Sequence, residues 1–219
     1  MQRRMDTTSL AHGPDPNALY PMTGQQRLVF LKNSVDDPRI EVGDYTYYDD
    51  FDDPRNFRRN VLYHFPFSTD RLRIGRFCMI ASGVKFVMNG GNHRTDLLST
   101  YPFTVFGQGW ETAFEADSWP HKGDTTIGHD VWIGYEALLM PGVTVGNGAI
   151  IATRSVVTRD VPAFAVVAGN PATVVRMRFD EATVARLEQL AWWDWDADKI
   201  TRNLAAICSR DLDALTRAQ

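Results

Sequence analysis

The sequence predicts a mainly β protein: a solenoid of short parallel strands joined by tight corners, interrupted by one long loop and followed by a helical tail. Three observations predict this fold class. Aliphatic residues recur at every sixth position through the middle of the chain, the segment 88–125 breaks that repeat, and apolar residues take up helical spacing after Phe179.

The six-residue repeat is the strongest of these signals. It starts at Ile127, and four positions after each aliphatic residue stands a small or β-branched one. Helices repeat about every 3.6 residues and plain strands about every two, so neither produces this pattern. An ordinary β-sheet is the alternative, but it does not hold one period through its turns. Residues 74–85 and 42–47 carry further copies. The aliphatic positions are Ile127, Ile133, Leu139, Val145, Ile151 and Val157, and the small positions are Val131, Ala137, Val143, Ala149, Ser155 and Val161.

The two remaining segments have different expected roles. A connection as long as 88–125 is uncommon in an ordered domain unless it shapes a pocket or covers a ligand. In the tail, Asp180 and Asp196 stand where helix N-caps are expected. We therefore predict a solenoid domain over 1–179, with its active-site loop at about 88–125, and a helical cap over 180–219. The tryptophans of the tail are predicted to cover the last coil: Trp192, Trp193 and Trp195.

Composition limits the possible classes of protein. With 219 residues, 44% of them hydrophobic and 23% charged, the chain can bury the core of one domain, which excludes disorder, collagen and coiled coils. A net charge of −4 supplies no general attraction for nucleic acid or an anionic membrane. The first residues contain no apolar stretch, and two cysteines form no disulfide framework. We expect a soluble, cytoplasmic protein that binds neither nucleic acid nor membrane.

One of the five histidines stands out by its position. His93 follows Gly90-Gly91-Asn92 where the repeat gives way to the long loop, so the glycines allow a sharp turn that exposes the imidazole. A neutral imidazole can accept a proton and return it, which is general acid–base chemistry. Surface or structural roles are expected for the other four, His12, His64, His121 and His129. Cys78 takes an inward position of its repeat and is expected to be a core residue.

Several motifs together resemble one family. They are MNGGNHR (88–94), STYPF (99–103), FGQGWE (106–111), DVWIG (130–134), MPGV (140–143), GNPA (169–172) and WWDW (192–195). With these motifs the chain is similar to the xenobiotic acetyltransferases of the hexapeptide-repeat superfamily, over nearly its whole length from about Gly13. The N-terminal segment GPDP…YP (13–21) and the NHR context (92–94) resemble the streptogramin A (virginiamycin) acetyltransferases more than the type B chloramphenicol acetyltransferases, which lack that N-terminal segment.

The resemblance implies a fold and a reaction. The fold is a left-handed parallel β-helix with three six-residue repeats per triangular coil. The reaction is acetyl transfer from acetyl-CoA to a hydroxyl of an antibiotic-like acceptor, with His93 in the position of the catalytic histidine. We expect direct transfer without an acetyl-enzyme. The family also implies a homotrimer whose sites lie between neighbouring subunits.

Cofactor residues follow from the resemblance and from the expected stacking of the coils. If residues 18 apart stack, Gly134, Ala152 and Asn170 form one column along which the pantetheine arm could lie, with Trp132 as its wall. The CoA phosphates require cations. Relatives often carry lysine after GNPA, where this chain has Thr173, so the phosphate contact is less certain; the candidates are Lys122, Arg154, Arg176 and Arg178.

On the acceptor side the resemblance implies contacts from Tyr47 and from residues of the long loop. The expected acceptor residues are Tyr47, Asn92, Leu97, Pro102 and Phe103. The chain departs from the streptogramin enzymes at Phe65, where tyrosine is common, and at Leu97-Leu98, which adds a residue to the loop. Because both departures concern the acceptor pocket, the sequence defines acetyl transfer better than it defines the acceptor.

Three alternatives stay open. The acceptor could be chloramphenicol, another xenobiotic or a sugar. A γ-type carbonic anhydrase shares the fold but needs several convergent imidazoles for zinc, and His93, His121 and His129 share neither phase nor close spacing. A non-catalytic scaffold built from the same repeats would bind no acetyl-CoA. We therefore expect acetyl-CoA as cosubstrate and no metal.

Overall fold

The computed structural model describes residues 13–115 and 119–218. Residues 1–12, on which the expected absence of a leader depends, lie outside this part. Within it, no helix is both long enough and apolar enough to span a bilayer.

The described residues contain fifteen strands, most of them two or three residues long. In chain order they are β1 Leu28–Phe30, β2 Ile40–Val42, β3 Tyr47–Asp49, β4 Val61–Leu62, β5 Leu72–Ile74, β6 Met79–Ile80, β7 Lys85–Val87, β8 Thr125–Ile127, β9 Trp132–Ile133, β10 Leu138–Leu139, β11 Thr144–Val145, β12 Ile150–Ile151, β13 Val156–Val157, β14 Ala165–Gly169 and β15 Ala172–Met177.

These strands form three sheets, which we number 1 to 3. Sheet 1 has the order β1-β3-β6-β9-β12-β14-β15, sheet 2 the order β2-β5-β8-β11 and sheet 3 the order β4-β7-β10-β13. The chain visits sheets 2, 1 and 3 in turn, so each triplet of strands makes one coil. Strands of successive coils pair in parallel, as β5 does with β8 and β7 with β10. The predicted parallel solenoid is confirmed.

Side chains of the repeat fill the interior. Ile127 lies opposite Val145, 18 residues further on, as three six-residue repeats per coil require. Every residue at the two periodic positions is at most 5% exposed. Each coil therefore contributes a layer of aliphatic and small side chains to one continuous core.

The last coil is two residues shorter than predicted. Val161, and not residue 163, bridges to Val145, because the corner after β13 has lost two positions. Ile151 consequently lies opposite Val167. Ala152 therefore stacks on residue 168, and Asn170 falls in the turn between β14 and β15. The predicted column of Gly134, Ala152 and Asn170 is wrong at its third member, although a role for Asn170 in cofactor binding stays a prediction.

Glycines occupy one corner of four successive coils because the backbones approach closely there. A Cβ added to Gly75 would lie 2.5 Å from the carbonyl oxygen of Gly128, and one added to Gly128 would lie 2.5 Å from Asn147 Oδ1. Gly43 and Gly146 meet the next coil in the same way. The turn position of the repeat is thus set by contact between coils.

The long loop leaves sheet 3 after Val87 and returns to sheet 2 at Thr125, close to the predicted limits. It contains a 3-10 turn at Asn89–Gly91 and a short helix, α1 (Phe103–Phe106). Two further 3-10 segments, Leu31–Asn33 and Pro54–Asn60, lie between strands of the first coils.

The tail folds into three helices, α2 (Glu181–Leu190), α3 (Ala197–Ile207) and α4 (Leu212–Thr216), with a 3-10 turn at Trp192–Asp194. The carboxylate of Asp180 accepts the backbone N–H of Thr183 at 2.7 Å, and Asp196 accepts that of Lys199 at 2.7 Å. Both predicted N-caps are confirmed. The division of the chain at 179/180 into two units stays a prediction.

The tail lies along the side of the solenoid. The ring of Trp192 is 5.0 Å from that of Phe77 in the second coil, and Trp193 stacks at 5.7 Å on His129 in the third and lies 6.5 Å from Phe164 in the last. The prediction that the tryptophans cover only the last coil is therefore wrong. Trp193 does contact that coil, but together the rings follow one corner of the solenoid across several coils. At the end of sheet 1 it is β15 that pairs antiparallel with β14.

Two imidazoles, those of His64 and His129, have pKa values below the usual histidine value. Burial lowers the pKa of His129, and its Nδ1 accepts the backbone N–H of Arg76 at 2.9 Å. Burial and the charge of Arg39 lower the pKa of His64, against the opposing effect of Asp37, whose Oδ2 is 3.2 Å from Nε2. In the unfolded chain both rings take up a proton near the usual histidine pKa of about 6.5, before the folded protein does. Each ring therefore removes stability as the pH falls below that value.

We expect the melting temperature of His129→Gln to depend less on pH than that of the parent protein between pH 7.5 and 5.5. Burial raises the pKa of Asp130, so this carboxyl adds stability as the pH falls and opposes the effect of the histidines. The prediction therefore concerns the difference in pH slope between variants and not the absolute melting temperatures. His121→Gln, at an exposed position, is the control that keeps the parent slope. A His129→Gln slope equal to the parent slope, measured by thermal unfolding, would contradict a lowered pKa of His129 in the folded protein.

Candidate active site

A cavity of about 630 Å³ opens where the long loop leaves and rejoins the solenoid. Gly91, Asn92 and His93 line it on the outgoing side, and Pro120 and Lys122 on the returning side. Both ends of the loop therefore build one cavity around the predicted catalytic histidine.

The imidazole of His93 has a defined orientation. Its Nδ1 lies 2.8 Å from the backbone carbonyl oxygen of Thr100 in the same loop. Because a carbonyl can only accept, a neutral imidazole must carry its proton on Nδ1, which leaves the Nε2 lone pair unprotonated. The ring of Trp119 lies 6.0 Å away and flanks the imidazole. This arrangement can take a proton from a hydroxyl group brought to Nε2.

Charged groups flank the cavity. Arg94 donates two hydrogen bonds to the carboxylate of Asp96, one of them from Nε to Oδ1 at 2.8 Å. These bonds hold the pKa of Asp96 at about 2. Lys122 also lines the cavity, and its contact with a CoA phosphate stays a prediction. Its backbone N–H donates to the side chain of Asn89, which fixes the start of the returning segment.

The predicted acceptor residues are divided between two places. Leu97, Pro102 and Phe103 share the loop with His93, and the Phe103 ring lies 5.3 Å from that of Trp110. Asn92 lines the cavity, but its Nδ2 donates to Asn89 Oδ1 and to the Pro120 carbonyl, at 3.0 and 3.2 Å. Asn92 therefore holds the loop in place in addition to any contact with an acceptor.

Tyr47 lies elsewhere, on sheet 1 in the same row as Trp132 of the predicted cofactor surface. It pairs with Met79, which pairs with Trp132, so the three share one row across the strands. Trp132 is 51% exposed. None of these three lines the cavity around His93. Within one chain the structure separates the predicted base from this surface.

Gly134 and Ala152 stack in adjacent coils as predicted, but their backbone N–H groups are already used. Gly134 donates to the Ile151 carbonyl at 2.8 Å and Ala152 to the Val167 carbonyl at 2.9 Å. A Cβ on Gly134 would lie 2.7 Å from the backbone nitrogen of Thr153. The column is therefore a close-packed surface, and a ligand lying there has to bond to neighbouring groups.

The candidate phosphate-binding arginines differ in their contacts. Arg154 is 71% exposed and pairs with Glu136 at 2.6 Å, and Arg176 projects from β15, where its Nη1 donates to the Met177 carbonyl. Arg178 donates to the Gly148 carbonyl at 2.5 Å and packs on two phenylalanine rings. Arg178 therefore joins the tail to the solenoid, whereas Arg154 and Arg176 stay candidates for binding phosphate.

Cys78 is a core residue. Its side chain is fully buried, and its thiol donates to the Gly128 carbonyl at 3.0 Å. Burial raises its pKa to about 12, so it is not a thiolate at neutral pH. Among the described residues, no group of three or more His, Cys, Asp or Glu is placed to hold a metal ion.

Comparison with known proteins identifies the family. The hexapeptide transferase family, described as "Bacterial transferase hexapeptide (six repeats)", matches residues 124–159. The chain is 44% identical to a virginiamycin A acetyltransferase of Staphylococcus aureus, over 94% of each chain. It is 42% identical to a chloramphenicol acetyltransferase of Agrobacterium fabrum, over 87% of this chain and 92% of that one. This chain belongs to the xenobiotic acetyltransferases of the hexapeptide-repeat superfamily.

A further relative widens the range of activities within the family. A probable macrolide acetyltransferase of Lysinibacillus sphaericus is 46% identical over 71% of this chain and 87% of its own. The predicted acyltransferase activity and the predicted left-handed parallel β-helix are confirmed. Relatives named for different acceptors have similar identity, so identity alone does not select among acceptors.

Sequence reasoning missed three parts of the site: the Thr100 carbonyl, Trp119 and Asn89. A backbone carbonyl has no signature in residue type, so nothing in the sequence could indicate that Thr100 orients His93. A tryptophan in a polar segment is a weak signal for Trp119. Asn89 stands in the MNGGNHR motif, but the motif gave no reason to separate its role from that of Asn92.

We expect iodoacetamide to alkylate Cys208, which is exposed, and to leave Cys78 unmodified in the folded protein. The physical reason is that a buried thiol with a raised pKa is neither accessible nor ionised. Peptide mass spectrometry measures both sites, and alkylation in denaturant provides the control in which both react. Equal rates at the two cysteines in native protein would show that Cys78 is not sealed in the core.

Proposed function

We propose that this xenobiotic acetyltransferase transfers the acetyl group of acetyl-CoA to a hydroxyl of a streptogramin A of the virginiamycin M type, with His93 as general base. The contact between His93 Nδ1 and the Thr100 carbonyl carries the proposal for the chemistry, because it leaves Nε2 able to accept a proton. The likeness to a virginiamycin A acetyltransferase over 94% of the chain supports the proposal for the acceptor.

The reaction is a direct transfer between two bound substrates. His93 Nε2 accepts the hydroxyl proton as the acceptor oxygen bonds to the thioester carbonyl carbon. When the carbon–sulfur bond breaks, the imidazolium returns that proton to the leaving thiolate. The acetyl ester and free CoA form, and His93 regains its starting state. The burial of Cys78 supports a route without an acetyl-cysteine, since the thiol cannot reach a substrate.

The loop suits a bulky apolar acceptor. Tyr101, Phe106 and Trp110 are each about half exposed, and the ring of Tyr101 stacks on that of Phe106 at 5.3 Å. Aromatic faces offer large contact areas with few rotatable bonds, which favours the binding of rigid ring systems. These exposed rings are thus compatible with contact to a macrocyclic lactone.

A homotrimer would complete the site. Trp132, Gly134 and Ala152 lie on sheet 1 and not in the cavity around His93, so the base of one subunit needs a cofactor surface from another. The outward row of sheet 1 is apolar, as an interface requires, and consists of Tyr47, Met79, Trp132, Ile150 and Val166. In this arrangement Lys122, Arg154 and Arg176 are the cations proposed for the CoA phosphates.

We expect His93→Ala to lower kcat on the order of a thousandfold, the scale of removing a general base, without a matching loss of acetyl-CoA affinity. Thiol release measures kcat, and isothermal titration measures the affinity. His121→Ala, an exposed histidine on the returning segment, is the matched control and keeps its turnover. Turnover of His93→Ala close to that of the parent would exclude His93 as the base.

The acceptor is tested by ranking kcat/KM for virginiamycin M1, chloramphenicol, a macrolide and simple sugars in the same assay. We expect virginiamycin M1 to lead, because the N-terminal segment 13–21 and the Asn92-His93-Arg94 context resemble those of the streptogramin A enzymes. Chloramphenicol is the second candidate, supported by the 42% identity to a chloramphenicol acetyltransferase. A higher kcat/KM for any other member of the panel would overturn the proposed acceptor and leave acetyl transfer intact.

A further inference from the structure

One buried amide ties together the two ends of the long loop. The side chain of Asn89 is on the outgoing end and its residue is 4% exposed. Its Oδ1 accepts the backbone N–H of Lys122 at 2.7 Å, and its Nδ2 donates to the Gly123 carbonyl at 2.8 Å. A single side chain therefore joins the segment that leaves the solenoid to the segment that returns.

A buried carboxylate anchors this amide to the solenoid. Asp70, two residues before β5, is 1% exposed, and its Oδ2 accepts hydrogen bonds from the backbone N–H of Asn89 at 2.8 Å and from Asn89 Nδ2 at 2.9 Å. Burying a carboxylate is costly unless hydrogen bonds compensate it. Asn89 supplies both hydrogen bonds on Oδ2, whereas Oδ1 is buried with no hydrogen-bond partner among the described residues, so Asp70 depends on Asn89 for its compensation.

The same pair reaches His93 through one residue. Asn92 donates its backbone N–H to the Asn89 carbonyl at 3.0 Å and its Nδ2 to Asn89 Oδ1 at 3.0 Å. His93 is the next residue in the chain. The Thr100 carbonyl sets the rotation of the imidazole ring, whereas the bonds around Asn89 set the place from which the ring projects.

We propose that Asp70 and Asn89 are positioning residues for acetyl transfer: together they fix the base of the loop so that His93 presents Nε2 to the acceptor hydroxyl. This inference rests on the proposed role of His93 as general base. Neither residue lines the cavity, so both act through Asn92 and the loop ends and not by touching a substrate.

The solenoid has its own contacts on either side of this pair. Strand β7 pairs with β4 and β10, and β8 pairs with β5 and β11, independently of Asn89. Loss of the amide therefore shifts the loop while the coils stay paired. Misplacement of a catalytic group by about 1 Å can cost about a hundredfold in rate.

Asn89→Asp is the sharpest test because it keeps the shape of the side chain and replaces the donor Nδ2 by an oxygen. That oxygen then faces the Asp70 carboxylate and the Gly123 carbonyl, which can only accept. We expect kcat to fall about a hundredfold, with acetyl-CoA affinity less affected. The matched control is Asn60→Asp: Asn60 is 5% exposed and donates Nδ2 to Tyr48 Oη at 2.8 Å, away from the loop. It should lose stability but keep most of its turnover.

A second pair of variants separates hydrogen bonding from simple disruption. Asp70→Asn retains an acceptor oxygen for Asn89 and is expected to keep most of the parent kcat, whereas Asp70→Ala removes it and should behave like Asn89→Asp. Equal kcat values for Asp70→Ala and the parent would overturn the proposal. Should Asn89→Asp fail to fold, this pair decides the question.

Hydrogen exchange provides a readout that does not depend on activity. In Asn89→Asp we expect faster amide exchange in peptides covering 88–100 and 119–125, and unchanged exchange in the coils over 127–157. Unchanged exchange in the loop would contradict the positioning role. Equal losses of kcat in Asn89→Asp and Asn60→Asp would show a general effect of stability. Absence of turnover in the parent protein with every acceptor would instead contradict the proposed function.

Discussion

Parallel pairing between successive coils is the constraint on which the rest of this structure depends. Ile74 must lie opposite Ile127 and Phe86 opposite Leu139, although the long loop separates the two coils along the chain. The loop is therefore an insertion whose ends must meet at one corner without disturbing the ladder. The polar groups of those ends need partners in a buried place, and Asn89 supplies them. His93, the proposed general base, lies at that junction.

The division between a repetitive solenoid and an inserted loop also separates two tasks. The coils offer a regular surface of small residues, closed at its corners by backbone contacts such as that between Gly75 and Gly128. The loop contains the proposed base and the exposed aromatic rings that we propose contact the acceptor. Substitutions in the loop can change the acceptor pocket without touching the coils, which accounts physically for relatives that are named for different antibiotics yet share more than 40% identity with this chain.

Much of the fold could be predicted because every six-residue repeat has to place an aliphatic and a small side chain in the interior of the solenoid. The period of six, the inward positions, the limits of the loop and the caps at Asp180 and Asp196 all follow from local residue types. The predicted stacking of Asn170 on Ala152 was wrong because one corner after Val157 is two residues shorter, and nothing in the pattern signals a shortened corner. The path of the tail depends on ring contacts such as that of Trp193 with His129, which no spacing encodes. His93 could be found from its position, whereas the Thr100 carbonyl that orients it could not.

The central claim is that His93 Nε2 removes the proton from the acceptor hydroxyl at the bound thioester. A crystal structure of the protein with CoA and virginiamycin M1 bound together tests it most directly. The account places Nε2 about 2.6–3.2 Å from the reacting hydroxyl oxygen, with Nδ1 still on the Thr100 carbonyl. A complex in which another side chain contacts that hydroxyl, and His93 faces away from it, would contradict the account.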